Sequence, residues 1–284
     1  MLHVVVNATS ANVCVGFDVL GLSLALTNDF TFEIKDEFSF KGFEAEFSKK
    51  ETNLVYYSYV KYFEYINMEP IKVEIGFKGN IPVSRGLGSS SSLIVAGVFA
   101  ANELAGNKLS KDELFNICVE IEGHPDNVAP AVYGGLVASY KHNDSYKAIK
   151  YPVSDNLKFT VIIPDFKLST EEARGVLPKA LEYKDIVHNT SRIVHIPMAF
   201  SSGDLELLCE LFDDKLHEPY RGKLIPGYEE IKKLCNKNNI PFCISGSGST
   251  MLVISRDNVD NLLAAVKYEK KSLEVGQGVK IWRD

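Results

Sequence analysis

Pro82-Val83-Ser84-Arg85-Gly86-Leu87-Gly88-Ser89-Ser90-Ser91-Ser92 is a Gly/Ser stretch between two clear patterns. Upstream, Ile71, Val73, Ile75 and Phe77 alternate with Lys72, Glu74 and Gly76, as a strand with one buried face requires. Downstream, Leu93, Ile94, Gly97, Val98, Ala101, Leu104 and Ala105 recur at helical spacing, and Gly106 suits the helix stop. Strand, loop and helix in this order predict a phosphate cradle. Gly86 and Gly88 let the backbone turn tightly beside a ligand, and the amides of Ser89 to Ser92 fall in the first helical turn, whose unpaired N–H groups attract anions. A flexible linker would join independent units, but no composition shift marks this loop as one. It lacks the Gly-Lys-Ser/Thr of a Walker P-loop and the Gly-x-Gly-x-x-Gly dinucleotide fingerprint.

The 284 residues suffice for one large or two modest cores. A formal net charge of -6 opposes general binding to nucleic acid, so a phosphate site must be local. The five cysteines lie far apart, without a Cys-x-x-Cys pair or a His at zinc-ligand spacing, and read as reduced, mostly buried thiols. Met1 to Val6 lacks a basic region and a cleavage site, and no apolar run reaches membrane-span length. These features predict a cytoplasmic protein with neither nucleic-acid nor membrane partners.

Leu2 to Val6 reads as a short strand and Asn7 to Leu22 as a small-residue loop whose one charge is Asp18. Phe30, Phe32 and Ile34, then Phe38 and Phe40, alternate as in a hairpin, and Leu54 to Ile66 reads as a Tyr-rich helix; these aromatics are expected in the core. Ser110-Lys111-Asp112-Glu113 is a capping box opening a helix that ends near Glu120 and Glu122. Two carboxylates there oppose the helix dipole, which suggests either a metal or basic neighbour, or a solvated helix end. Gly123 to Gly135, with His124, Asp126 and Asn127 among Gly and Pro breakers, reads as a loop serving a site.

Near residue 150 a second unit is expected, giving units at 1–150 and 151–284. It opens with a capped helix start at Ser169-Thr170-Glu171-Glu172-Ala173-Arg174 and contains Leu216-His217-Glu218-Pro219-Tyr220-Arg221. A second Gly/Ser loop, Ser245 to Ser249, joins the strand-like runs Phe242 to Ile244 and Met251 to Ile254. A helical run around Val259 to Val266 and a strand at Val279 to Trp282 complete an α+β pattern.

Asn7 to Asp18, Pro82 to Ser92 and Ser245 to Thr250, in this order, resemble the three motifs of the GHMP small-molecule kinases. Within that family, Ala8-Thr9-Ser10-Ala11-Asn12 with Gly16-Phe17-Asp18, Glu122 to Pro130, Ser169-Thr170 with Ala173-Arg174, and His217 to Arg221 are similar to homoserine kinases. Asn7 and Val13-Cys14-Val15 depart from the Pro and Leu-Gly-Pro usual in the first motif, and Ser249 stands where Pro is usual in the last.

The resemblance implies a ribosomal protein S5 domain 2-like N-terminal domain, a ferredoxin-like C-terminal domain and a cleft between them. It implies ATP-dependent phosphorylation of the homoserine side-chain hydroxyl, with Mg2+ held by Ser90 and Glu120, or by Glu122 in its place. Residue chemistry agrees, because an amino-acid zwitterion needs a cation and an anion, and the loops carry Arg174 and Arg221 beside Asp18 and Asp126. By resemblance Asn12, His124, Thr170 and Gly246 complete the substrate shell, Pro82 to Ser92 hold the nucleotide, and the chain forms a homodimer. Asp18 is expected to hold the substrate ammonium and Asn12 to orient the hydroxyl, since no Lys or Arg in Asn7 to Leu26 tunes Asp18 as a base. A mevalonate- or galactose-type kinase would use such a Lys or Arg, and a noncatalytic nucleotide binder would not need the paired Arg and Asp groups.

Overall fold

The computed structural model describes residues 1–284. The chain runs through β1 (Leu2–Ala11), β2 (Leu20–Ile34), β3 (Ser39–Lys41), α1 (Leu54–Tyr65), β4 (Val73–Lys78), α2 (Ser89–Leu104), α3 (Lys111–Glu122), α4 (Pro125–Tyr133), β5 (Leu136–His142) and β6 (Ser145–Tyr151). It continues with β7 (Lys158–Ile163), α5 (Thr170–Gly175), α6 (Tyr183–Ile193), α7 (Ile196–Ser202), α8 (Leu205–Leu211), α9 (Glu218–Arg221) and α10 (Tyr228–Lys237). The last strands are β8 (Phe242–Ile244), β9 (Met251–Ser255), β10 (Glu269–Leu273) and β11 (Lys280–Arg283).

Two sheets result. The first has the order β11-β1-β2-β4-β3, with β5 added to β2 and β6 to β5; the second is β10-β7-β9-β8, antiparallel throughout. The alternating apolar residues of β1, β2 and β4 face α1 to α4, so Val4, Val6, Phe30, Phe32 and Ile75 share one core with Tyr59, Tyr62, Phe63, Val98 and Phe115. A second core joins the sheets. It contains Ala8, Val13, Leu20 and Leu22 from the first unit and Phe159, Val161, Phe200, Leu252 and Ile254 from the second. This α+β arrangement, helices on each of two antiparallel-rich sheets, is the expected fold class.

Several expectations are corrected. Strand β1 extends through Ala11, because Asn7 to Ala11 pair with β2 past an irregularity at Asn7/Ala8; the first-motif loop begins only at Asn12. The aromatic run after β2 is no hairpin, since β3 pairs in parallel with β4 and lies on its far side from β2. Gly123 to Gly135 is mostly helix α4, not loop. Pro125 occupies its start, where a missing N–H costs nothing. Pro130 leaves the Asp126 carbonyl without its helical donor, and β2 packs closely there at Gly21, where a Cβ would run into that carbonyl. Val259 to Val266 makes successive turns rather than a helix, with Val259 and Leu263 buried. The closing strand forms as expected, as β11, and it pairs with β1 of the first sheet.

Candidate active site

The cradle forms where the sequence places it. Gly86 (φ 74°) and Gly88 (φ 67°) adopt left-handed backbone, and Gly88 is the residue that turns the chain into α2. A Cβ on Gly86 would strike the Ser245 carbonyl, and one on Gly88 the Thr9 hydroxyl. The loop is clamped from three sides. Thr9 N donates to Leu87 O at 3.1 Å, Leu168 N to Ser84 O at 3.2 Å, and Thr250 N to Arg85 O at 3.0 Å. Ser245 Oγ donates to Gly86 O at 2.6 Å, which ties the second Gly/Ser loop to the first.

A cavity of about 660 Å³ opens over the cradle. Its apolar wall is Phe43, Phe47, Leu54 and Phe77, and its polar end reaches Glu122, His124, Asn127 and Thr170. Val83 to Ser90 line it, whereas Pro82, Ser91 and Ser92 do not. Ser92 Oγ is spent inside the fold, donating to Ser89 O at 2.7 Å and accepting from Asn28 Nδ2 at 2.9 Å.

At the start of α2, Ser90 Oγ and Ser91 Oγ donate to Glu122 Oε1 at 2.7 and 2.6 Å. Glu120 is exposed and makes no bond to the cradle, which corrects its expected place beside Ser90. Residues two apart on a helix lie some 200° around its axis from each other, so α3 can offer the cradle only one of the two.

A second, more open cavity of about 500 Å³ is lined by Asp18, His124, Ser139, Tyr140, Lys141 and Arg174, and the two cavities share His124. Asp18, itself in left-handed backbone (φ 55°), receives Arg174 bidentately, Nη2 to Oδ1 at 2.8 Å and Nη1 to Oδ2 at 3.1 Å. The cation absent from the first motif thus arrives from α5, and its hydrogen bonds to Asp18 raise Arg174 above its ordinary pKa. Asp18 N donates to Asn12 Oδ1 at 3.0 Å, and Asn12 Nδ2 donates to Gly246 O at 2.7 Å.

Arg221 is 2 % exposed. Its Nε donates to Ala173 O at 3.1 Å and its Nη1 to Gly246 O at 3.3 Å, while Nη2 has no protein partner. Its guanidinium carbon stands 5.1 Å from the Phe17 ring centroid, and that of Arg174 stands 5.9 Å from the same ring. Burial, then the charge of Arg174, pushes Arg221 down to about 10. Both backbone groups of Gly246 are engaged, its N–H with Ala11 O at 3.0 Å, so Gly246 organises Asn12 and Arg221 and has no N–H left for a ligand.

His124 Nδ1 lies 3.0 Å from Asp126 Oδ1. Burial disfavours its charged form, but the bond to Asp126 and the charges of Asp126 and Glu122 outweigh burial and raise its pKa. Thr170 is the exposed first residue of α5, whose capping box of Ser169 and Glu172 forms as expected. Asn127, which the sequence places only within a stretch serving a site, accepts Thr9 Oγ1 at 2.7 Å beside the cradle, and Phe43, Phe47 and Phe77 form a cavity wall that the sequence does not mark as one. Asn127 was legible one residue from Asp126; the aromatics read the same as core residues because their pattern is that of a core.

The family description for the GHMP kinases N terminal domain matches residues 53–135, and that for the GHMP kinases C terminal matches residues 199–271. A homoserine kinase of Clostridium beijerinckii is 47% identical, the match covering 89% of this chain and 86% of that one. A homoserine kinase of Clostridium botulinum (strain Okra / Type B1) is 43% identical over 97% of this chain and 96% of its own. The chain belongs to the homoserine kinases of the GHMP family. The crystal structure of the homoserine kinase from Cytophaga hutchinsonii superposes with a TM-score of 0.87 at 29% identity, covering 99% of this chain and 97% of that one. Membership covers both units, and with them the cradle and the Arg174 and Arg221 cluster.

Proposed function

We propose that the protein transfers the γ-phosphate of ATP to the side-chain hydroxyl of L-homoserine, giving O-phospho-L-homoserine and ADP in threonine biosynthesis. The observation that supports this reading best is the meeting, at His124, of an anion cradle with a pocket holding Asp18 and Arg174. In this reading Asp18 takes the substrate ammonium, with Asp126 and His124 beside it, while Arg174 and the free Nη2 of Arg221 take the carboxylate. The internal Asp18–Arg174 pair gives way to two pairs with the zwitterion. Half-exposed, it is cheap to open.

Asn12 lies between Asp18 N and Gly246 O and orients the hydroxyl. Thr170 faces the nucleotide cavity beside it. The hydroxyl of Ser90 and the carboxylate of Glu122 are hard oxygen donors at the anion cradle, a set that suits Mg2+. An ion held there would neutralise charge on the transferring phosphates. Phosphoryl transfer runs through a loose transition state, so positioning supplies most of the catalysis and the hydroxyl proton can leave late toward the phosphate without an enzymic base. No helix is long and apolar enough to cross a membrane, and a cytoplasmic enzyme is proposed. A homodimer is proposed from family resemblance, to be checked by sedimentation.

Thermal stabilisation and ADP release with homoserine, and neither with mevalonate or galactose, is the expected result of a ligand screen. Equal responses to all three would overturn the homoserine assignment.

A further inference from the structure

Asp214 lies outside both cavities, yet it is a buried carboxylate, 1 % exposed, with hydrogen-bond donors on both of its oxygens. Its Oδ2 accepts the N–H groups of Leu216 at 3.0 Å, His217 at 2.7 Å and Glu218 at 2.8 Å. Its Oδ1 accepts Asn189 Nδ2 at 2.6 Å. Asn189 is the one buried residue of α6, and its Oδ1 accepts Lys215 N at 2.9 Å. These bonds fix the entry to α9, a four-residue helix too short to persist without tertiary support.

From that entry two side chains reach the Cys14 to Asp18 loop. His217 Nε2 lies 3.0 Å from Cys14 O, and because a carbonyl only accepts, Nε2 carries the hydrogen; the ring also stacks on Phe17 with centroids 5.3 Å apart. Four residues on, Arg221 lies over the same Phe17 ring, its guanidinium carbon 5.1 Å from the centroid. The first residue of α9 is also held, Glu218 accepting Ile244 N at 2.6 Å and Tyr228 OH at 2.9 Å.

We propose that Asp214 is a positioning residue for homoserine recognition: it fastens the start of α9 so that Arg221 and the Cys14 to Asp18 loop meet at a fixed separation. A neutral Asn or Ser could cap a short helix as well. A carboxylate adds a charge that favours the buried Arg221 cation and that the substrate ammonium does not compete for, unlike Asp18 and Asp126. The inference rests on Arg221 holding the substrate carboxylate.

Asp214→Asn is the test. Every group approaching the carboxylate is a donor, so the new amide nitrogen must face one of them. The homoserine KM should rise about tenfold or more while the ATP KM stays within about twofold. The double variant Asn189→Asp with Asp214→Asn exchanges acceptor and donor across the same bond and should recover most of the homoserine KM. Equal rises in both KM values, no rise, or no recovery in the exchange variant would overturn the proposal. Should Asp214→Asn not fold, Asn189→Ala removes the bond to Asp214 Oδ1 together with that from Lys215 N and is judged by the same selective rise. Arg221→Ala separates the two readings. If it leaves the homoserine KM unchanged, the carboxylate assignment falls; if it raises it while Asp214→Asn does not, only the role of Asp214 falls.

Discussion

Glu120 and Glu122 stand at the end of the same helix, and only the second reaches the serines of the cradle. Glu122→Gln keeps the shape but removes the carboxylate charge, so turnover should fall by about 10²-fold or more and the magnesium requirement should rise, on the scale of a lost transition-state charge contact. Glu120→Gln should change neither, as steady-state assays across a magnesium titration will show. Asp18 carries a different expectation. Arg174 holds it as a bidentate carboxylate, an arrangement suited to binding an ammonium. Asp18→Asn should therefore weaken homoserine binding while substantial turnover remains at saturation. A loss of about 10²–10⁴-fold in turnover with normal binding would instead identify Asp18 as a general base.

At the scale of elements, α4 is seated by an unusual fit. Pro130 frees the Asp126 carbonyl, and Gly21 of β2 lies close enough that a side chain would collide with it and with the proline ring. Gly21→Ala should push β2 and α4 apart and cost about 1–3 kcal/mol, the usual scale of overpacking. Because Asp126 is buried in the first turn of that helix beside His124, the same change should also raise the homoserine KM. Chemical denaturation and kinetics on one preparation test both effects. Loss of stability with an unaltered KM would show that α4 moves without its acid.

Across the whole molecule, the two sheets share a core and the chain's end closes the first sheet. A cluster containing Leu20 and Leu22 as well as Phe159 and Ile254 cannot be exposed from one side alone, so a single unfolding transition is expected by calorimetry despite the two units. Two resolved transitions would contradict it. Strand β11 pairs Leu2 with Arg283 and Val4 with Ile281, and Val279 N donates to Ala131 O at 3.0 Å. Removing residues 279–284 should therefore lower the melting temperature by several degrees, at about 2–4 °C per kcal/mol for domains of this size class. The first sheet, rather than the second, should then lose protection in hydrogen exchange.

Local pattern was enough for the strand, loop and helix around Ser84 to Ser92, for the capping boxes at Ser110 and Ser169, and for the family motifs, because each depends on neighbours within a few positions. Helix α4 is hidden because Pro130 breaks a helix by local rules, whereas the close packing of Gly21 against it comes from far away in sequence. The pairing of β3 with β4 was likewise beyond reach, since alternation names a buried face and not a partner. Which glutamate meets Ser90 depended on the rotation of α3 against α2, and the cation for Asp18 came from 156 residues away. The kinds of groups at the site were thus set by sequence, whereas their pairing was set by tertiary packing, because hydrogen bonds and ion pairs act over a few ångströms of space regardless of distance along the chain.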